Sequence, residues 1–463
     1  SLGAFLPLND CKEAGTSVTV VNPFDSSKLL GQLQFKVKNA FDEGYNIFNT
    51  SSSFYNDICT PFTNENGNDV LLDDRRTDYY SENYNLCEKG CQFMGYNEAM
   101  SMYTCNCSIK TSINEESNYE ITPMKTPDDF FKKKSEYSNI KVFKCYSQVF
   151  SFKGQKLNLG SYIIFACFVG FITSIIMYFT CQKKKMDEHF GKFQEKEKIQ
   201  DDNPKPVEIE KPDNPEIKSG EPINAPNVDP NTVQKDIVFK DEDCNSLEYE
   251  EAKIMDPRTF IRYYWSLIKM KQLLIFTFYT YTDHNLRIVK IALFMLFLSF
   301  YFAFTALFFN DKIMREIYTY KGNTDAAIYV TNIILSSACC LIMNFIVRFI
   351  SLSERDIHKM INEKNPDKRK GIAEKTKRTL KIKLIVLFII SGLLIALCWY
   401  YVAAFCAVFK NSQIHYFLSV LGTFVICNLW PFVTSLIAPI FRIHSLKKNK
   451  PCMYKFSQIV SYL

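Results

Sequence analysis

Five apolar runs constrain this chain more than any other feature. They cover residues 160–181, 288–309, 327–350, 384–409 and 416–441. A helix crossing a bilayer needs about 20 apolar residues, and each run supplies them. Inside a bilayer the backbone has no water to bond, so such a run folds as a helix. The mean hydropathy of -0.10 conceals the runs because highly polar stretches separate them.

The basic flanks orient the spans. Lys183, Lys184 and Lys185 follow the first run directly. The 351–383 connection is rich in Lys and Arg, and Arg442, Lys447, Lys448 and Lys450 follow the last run. The 310–326 connection mixes both signs, and 410–415 is a short turn. Basic clusters stay on the cytosolic side. With five spans and an external N-terminus every cluster lands there; four or six spans break the agreement. The expected fold is an α-helical membrane protein with five transmembrane helices and a small disulfide-rich, mostly β extracellular domain. The expected membrane is the plasma or ciliary membrane, with the C-terminus cytosolic. The chain opens Ser1-Leu2-Gly3 with no leader pattern, so it reads as the C-terminal part of a longer precursor or a processed form.

These boundaries divide the chain into an extracellular domain (1–158), a first span (159–182), a linker (183–250), amphipathic helices (251–287), a four-helix bundle (288–441) and a cytosolic tail (442–463). Residues 1–158 are polar, with short alternating runs such as Gln32–Val37 and Lys141–Phe143 that read as strands. The linker holds Pro204, Pro206, Pro212, Pro215, Pro222, Pro226 and Pro230 among charged residues and has few aromatics, a composition that cannot bury a core. In 251–287, Phe260, Ile261, Tyr264, Trp265 and Ile268 alternate with Arg258, Arg262, Lys269 and Lys271, as in helices at a membrane interface or against the ends of a bundle.

Of 16 Cys, seven precede the first span: Cys11, Cys59, Cys87, Cys91, Cys105, Cys107 and Cys145. The four from Cys87 to Cys107 have a spacing that could hold zinc. An external domain with a thin core argues for disulfides instead, with no metal and no cofactor. Cys105 and Cys107 are too close to pair with each other, so each is expected to bridge elsewhere. An odd count leaves one over, with Cys11 the candidate, and spacing does not give the connectivity. Asn49 and Asn106 head N-x-[ST] sequons and are glycosylation candidates.

The span interiors read as nearly free of ionisable groups, which channels and pumps normally place there. Arg348 near the end of the third span is expected to snorkel. Asn344 and Asn428 are the deep polar side chains, expected to join helices by hydrogen bonds. Gly392, Ala396, Ala403 and Ala407 fall on one face of the fourth span, a small-residue seam for close packing. Pro431 and Pro439 should kink the fifth span. No phosphate loop, H-E-x-x-H or G-x-S-x-G motif is present, so the chain reads as a non-enzyme. The charge of +6 is gathered at span flanks, which fits a lipid bilayer and not nucleic acid.

Three groups of strings resemble cysteine-rich multi-pass surface membrane proteins of ciliated protozoa. They are Asp256-Pro257-Arg258-Thr259-Phe260 leading to Tyr263-Tyr264; Asn310-Asp311-Lys312-Ile313 with Tyr318-Thr319-Tyr320-Lys321-Gly322-Asn323; and Ala404-Phe405-Cys406-Ala407-Val408-Phe409 with Gln413-Ile414. Cys87-Glu88-Lys89-Gly90-Cys91 is similar but less specific. The resemblance implies a cell-surface protein with a long ectodomain. A looser, purely architectural similarity links the chain to receptor-like polycystins, from which the Pro-rich linker and the end at Leu463 depart. The expected function is to present a disulfide-stapled ectodomain for adhesion, surface-coat anchoring or mechanosensory coupling, with protein partners at the cell surface or a channel subunit. The alternative is a subunit of an ion channel or transporter.

Overall fold

The computed structural model describes residues 17–24, 32–49, 51–79, 87, 91–97, 100–108, 138–182, 243–245, 247–280, 285–351 and 366–462. Cys11 and most of the Pro-rich linker lie outside them. The protein is an α-helical membrane protein, and among the described residues five helices are long and apolar enough to cross a bilayer. Its residues group into two compact units. The first comprises 1–166, 299–339 and 396–423, and the second 167–298, 340–395 and 424–463.

The N-terminal part of the first unit begins with strand β1 (Ser17–Pro23), followed by helices α1 (Gln32–Asp42) and α2 (Leu72–Asp78) and strands β2 (Cys91–Asn97) and β3 (Met102–Ser108). The strands form one antiparallel sheet in the order β1-β3-β2. A bulge at Met94 lets Phe93 face Cys105 and Gly95 face Thr104. The alternating runs quoted above are not strands. Gln32–Val37 opens α1, and Lys141–Phe143 lies in the 3-10 turn Ile140–Lys144. In α1 the core contacts come from Val37 and Ala40, a spacing of three that belongs to a helix. Ile47, Phe54, Tyr55, Phe62, Val70 and Tyr79 complete that core, with Tyr318 packed against it.

Beyond one-turn helices, the chain continues with α3 (Leu159–Met177), α4 (Tyr249–Met255), α5 (Phe260–Lys271), α6 (Arg287–Phe308), α7 (Asp311–Thr319), α8 (Val330–Ser351), α9 (Pro366–Val408), α10 (Gln413–Lys448) and α11 (Pro451–Tyr462). α3, α6, α8, α9 and α10 carry the spans. Ile342, Leu393 and Leu421 are each more than half exposed on them, as suits side chains facing lipid.

Helix ends and apolar ends do not coincide. α9 starts within the basic 351–383 connection, and α10 runs beyond Phe441 to Lys448. Lys, Arg and Glu are good helix formers, so charge marks the edge of the apolar layer and not the end of the helix. The 442–463 tail is accordingly helical, in α10 and α11. α10 continues through both Pro431 and Pro439.

Tyr401–Phe409, the end of α9 and the residue after it, is buried throughout in the first unit, with every side chain at most 7% exposed. The second unit gathers Tyr263, Leu267 and Ala438 in one cluster and Cys244, Leu247, Ala252 and Tyr454 in another.

Candidate functional site

In the first unit the N-terminal domain is locked to the two short connections at the span ends. The Asp69 carboxylate, 3% exposed, accepts the backbone N–H of Asn411 at 2.9 Å and of Ser412 at 2.8 Å. These residues lead into α10, where unsatisfied N–H groups and the helix dipole favour an anion. Burial nevertheless pushes the Asp69 carboxyl up to about 7, against the pull of those donors. Thr63 supports the same turn through Asn411 Nδ2 at 2.9 Å.

The 309–329 connection is held as firmly. Asn310 caps α7, its Oδ1 accepting Ile313 N–H at 3.2 Å. On α7, Arg315 Nε donates to Asp74 at 2.8 Å and the Tyr318 hydroxyl to Asp78 at 2.7 Å. Asp311 pairs with Lys141. The helix ends in a left-handed turn, Lys321 at φ 52° and Gly322 at φ 84°, with Gly322 N–H returning to Ile317 O at 2.9 Å. Asn139 donates through its backbone to Leu307 O at 2.7 Å and through Nδ2 to Phe309 O at 2.8 Å. Tyr401 donates to Asn139 O at 3.0 Å and Tyr400 to Phe143 O at 2.8 Å.

The entry to the first span is fixed in the same way. Leu157 takes φ 64°, a conformation a leucine adopts only when its surroundings impose it. Gln413 bonds to both sides of it, Nε2 to Leu157 O at 3.1 Å and Oε1 from Leu159 N–H at 3.0 Å. Asn158 caps α3 through Ser161 N–H at 3.0 Å and reaches Ala403 O at 2.8 Å. A Cβ on Gly160 would stand 2.6 Å from Cys406 Sγ, so α3 and α9 pack closely here.

The second unit contains a buried charge cluster. Asp256 receives Arg258 Nε at 2.7 Å and Nη2 at 2.9 Å, and Arg442 Nε at 3.0 Å and Nη2 at 2.7 Å. All three side chains are at most 3% exposed. Arg442 lies between the rings of Tyr263 and Tyr454, 4.7 and 4.8 Å from their centroids, and also donates to Cys244 O at 2.7 Å. Burial would raise the Asp256 carboxyl; hydrogen bonds from Arg258 and the charge of Arg442 outweigh it and hold the group below its ordinary value. Arg442 falls within α10, so that helix holds a buried cation that the apolar pattern concealed. Lys290 in α6 is a second, 2% exposed, and donates to Thr280 O at 2.9 Å.

Arg348 reaches from α8 to the end of α5. Its Nη1 donates to Met270 O at 2.9 Å and Lys271 O at 3.0 Å, capping the C-terminus of α5. Lys290 and Arg348 both lie against Phe276, at 4.7 and 4.8 Å. Asn428 accepts from Gln272 Nε2 at 3.1 Å and donates to its own helix at Phe424 O at 2.8 Å. Asn344 forms no such link: its Oδ1 is enclosed and carries no hydrogen bond among the described residues.

Six of the seven N-terminal cysteines form three bridges: Cys59–Cys145, Cys87–Cys105 and Cys91–Cys107. The last joins facing residues of β2 and β3. With all four clustered thiols oxidised, none is left to bind zinc. Asn49 is exposed, whereas Asn106 lies half-buried in the central strand with its Oδ1 enclosed. In the small-residue seam, Ala403 and Ala407 are fully buried and Ala396 is half-buried, while Gly392 faces Phe171. Nothing in the sequence pattern marks Asp69 or Asn158, and Arg442 reads there only as a basic flank. The Asp256-Pro257-Arg258 string was visible as a motif, but its partner is 186 positions away.

Comparison of the chain with protein-family models, with curated proteins and with solved structures found no match in any of the three.

Proposed function

We propose that this is a non-enzymatic cell-surface protein whose N-terminal domain is a rigid coupling element, passing load or displacement to the ends of its membrane helices. The observation that carries the reading is the pair of hydrogen bonds that the buried Asp69 carboxylate accepts from the N–H groups of Asn411 and Ser412. A domain that only displays an adhesive surface needs a tether. Besides that contact with the 410–415 connection, this one engages the 309–329 connection through buried or half-buried polar contacts at Asp74–Arg315, Asp78–Tyr318 and Asn139–Phe309. The three disulfides support an oxidising, external setting for the domain. The basic flanks support the same orientation, with α9 entering from the cytosol.

The test is mechanical. The protein is reconstituted in vesicles, with dyes on non-canonical residues at the exposed positions Val330 and Ile414. Force is applied through the N-terminal domain. Coupling predicts a graded, reversible change in dye separation that Asp69→Ala weakens. A separation that stays fixed until the domain detaches sinks the proposal and leaves passive display.

A further inference from the structure

Arg75, on α2, is 1% exposed, yet its only hydrogen bond among the described residues is from Nη2 to Asp57 O at 3.1 Å. Its Nε and Nη1 are enclosed and carry none. A buried guanidinium is ordinarily matched to a carboxylate, because an uncompensated charge in the interior is costly. The nearby carboxylates are engaged elsewhere. Asp57 accepts Cys59 N–H at 2.9 Å and Thr60 Oγ1 at 3.2 Å, and Asp74 is held by Arg315. Phe54 lies against the guanidinium at 5.4 Å, which fixes its plane without neutralising it.

Arg75 lines a cavity of about 230 Å³ within the first unit. Phe62, Val70, Leu71, Val408 and Phe409 contribute apolar walls. Lys141 and Asp311, 26% and 18% exposed, form its solvent-reaching part and neutralise each other. Asp73 also lines the cavity, so its formal charges sum to zero with Arg75 included. A dianion would meet two carboxylates and a single unengaged cation. A monoanion with an apolar body meets one guanidinium charge without a carboxylate partner, and hydrocarbon walls.

We propose that this cavity is a binding site for a small organic carboxylate, held by Arg75 and packed against Val70 and Phe409. The ligand would contact both the N-terminal domain and the end of α9, and so would stiffen the join between them.

The full chain in detergent micelles or nanodiscs is titrated with 4-fluorobenzoate, followed by fluorine NMR. Saturable binding is expected, displaced by benzoate and not by the neutral isostere benzamide. Arg75→Gln and Val70→Phe are each expected to weaken it about tenfold or more, the first by removing the charge and the second by filling the cavity. Val70→Phe leaves Arg75 in place, and formation of the Cys59–Cys145 bridge checks that either variant has folded. Equal competition by benzamide, tighter binding of inorganic phosphate, or unchanged binding in folded Val70→Phe each overturn the proposal. So does the absence of binding up to about 10 mM in the unaltered protein, which leaves water as the occupant.

Discussion

Arg442 donates two hydrogen bonds, from Nε at 3.0 Å and Nη2 at 2.7 Å, to a single oxygen of Asp256. That oxygen also accepts Arg258 Nη2 at 2.9 Å, so one carboxylate balances two buried guanidiniums. Asp256→Asn should destabilise the protein by about 3–5 kcal/mol, because both cations stay buried without their counter-ion. Denaturant titration in micelles measures it. Asp256→Leu combined with Arg442→Met should cost less than the sum of the two single changes, and additive costs would argue against direct coupling.

Stability should also depend on pH through Asp69. Its folded carboxyl titrates near 7, above the ordinary value of 3.8, so between those limits the folded state holds more protons than the unfolded. Stability contributed by this group is therefore present at low pH and lost as pH rises toward 7. Glu43 raises the group further, and Lys410 is also electrostatically coupled to it. Melting temperatures at pH 5 and pH 8 should differ less in Asp69→Asn than in the unaltered protein. An identical difference in both would remove Asp69 from the account.

The Asp74–Arg315 pair joins α2 to α7, with Arg315 one-third exposed. Solvent screening limits such a pair, and a double-mutant cycle with Ala at both positions should return a coupling of about 1 kcal/mol. Zero coupling would mean that the pair positions nothing.

The bridges should differ in worth. Cys59–Cys145 closes a separation of 86 residues and Cys91–Cys107 one of 16. On chain entropy the first contributes about 4.6 kcal/mol and the second about 3 kcal/mol. Paired Ser substitutions followed by denaturation should show the larger loss for Cys59 and Cys145.

Helix packing can be probed at two glycines. Gly160→Ala places a methyl 2.6 Å from Cys406 Sγ and 2.8 Å from Val402 Cγ1, a clash expected to cost about 1–3 kcal/mol. Gly392→Ala meets only Phe171, at 3.3 Å, and should be nearly neutral. Equal effects would show that α3 and α9 can separate at Gly160 without cost.

The strings that stand out in the sequence acquire distinct physical roles. Asn310 is a helix cap, Gly322 ends α7 with a positive φ, and Ala404–Phe409 is the fully buried end of α9. Local chemistry of this kind is legible because caps, turns and apolar density depend on neighbours in sequence. Lys290 and Arg442 were harder to read, since a single cation at the edge of an apolar run looks like a flank. Whether it faces water or a carboxylate depends on which segment packs over it.

By itself, then, the sequence determined the five spans, because hydrocarbon demands about 20 apolar residues and internally bonded backbone. It also determined that the N-terminal cysteines would be used as staples. Only the tertiary structure decided that Asp69 meets Ser412, that Asp256 meets Arg442 and that Arg75 lines a cavity. Those relationships join residues far apart in the chain, and the energy of a buried charge depends on what surrounds it in space, which no local pattern records.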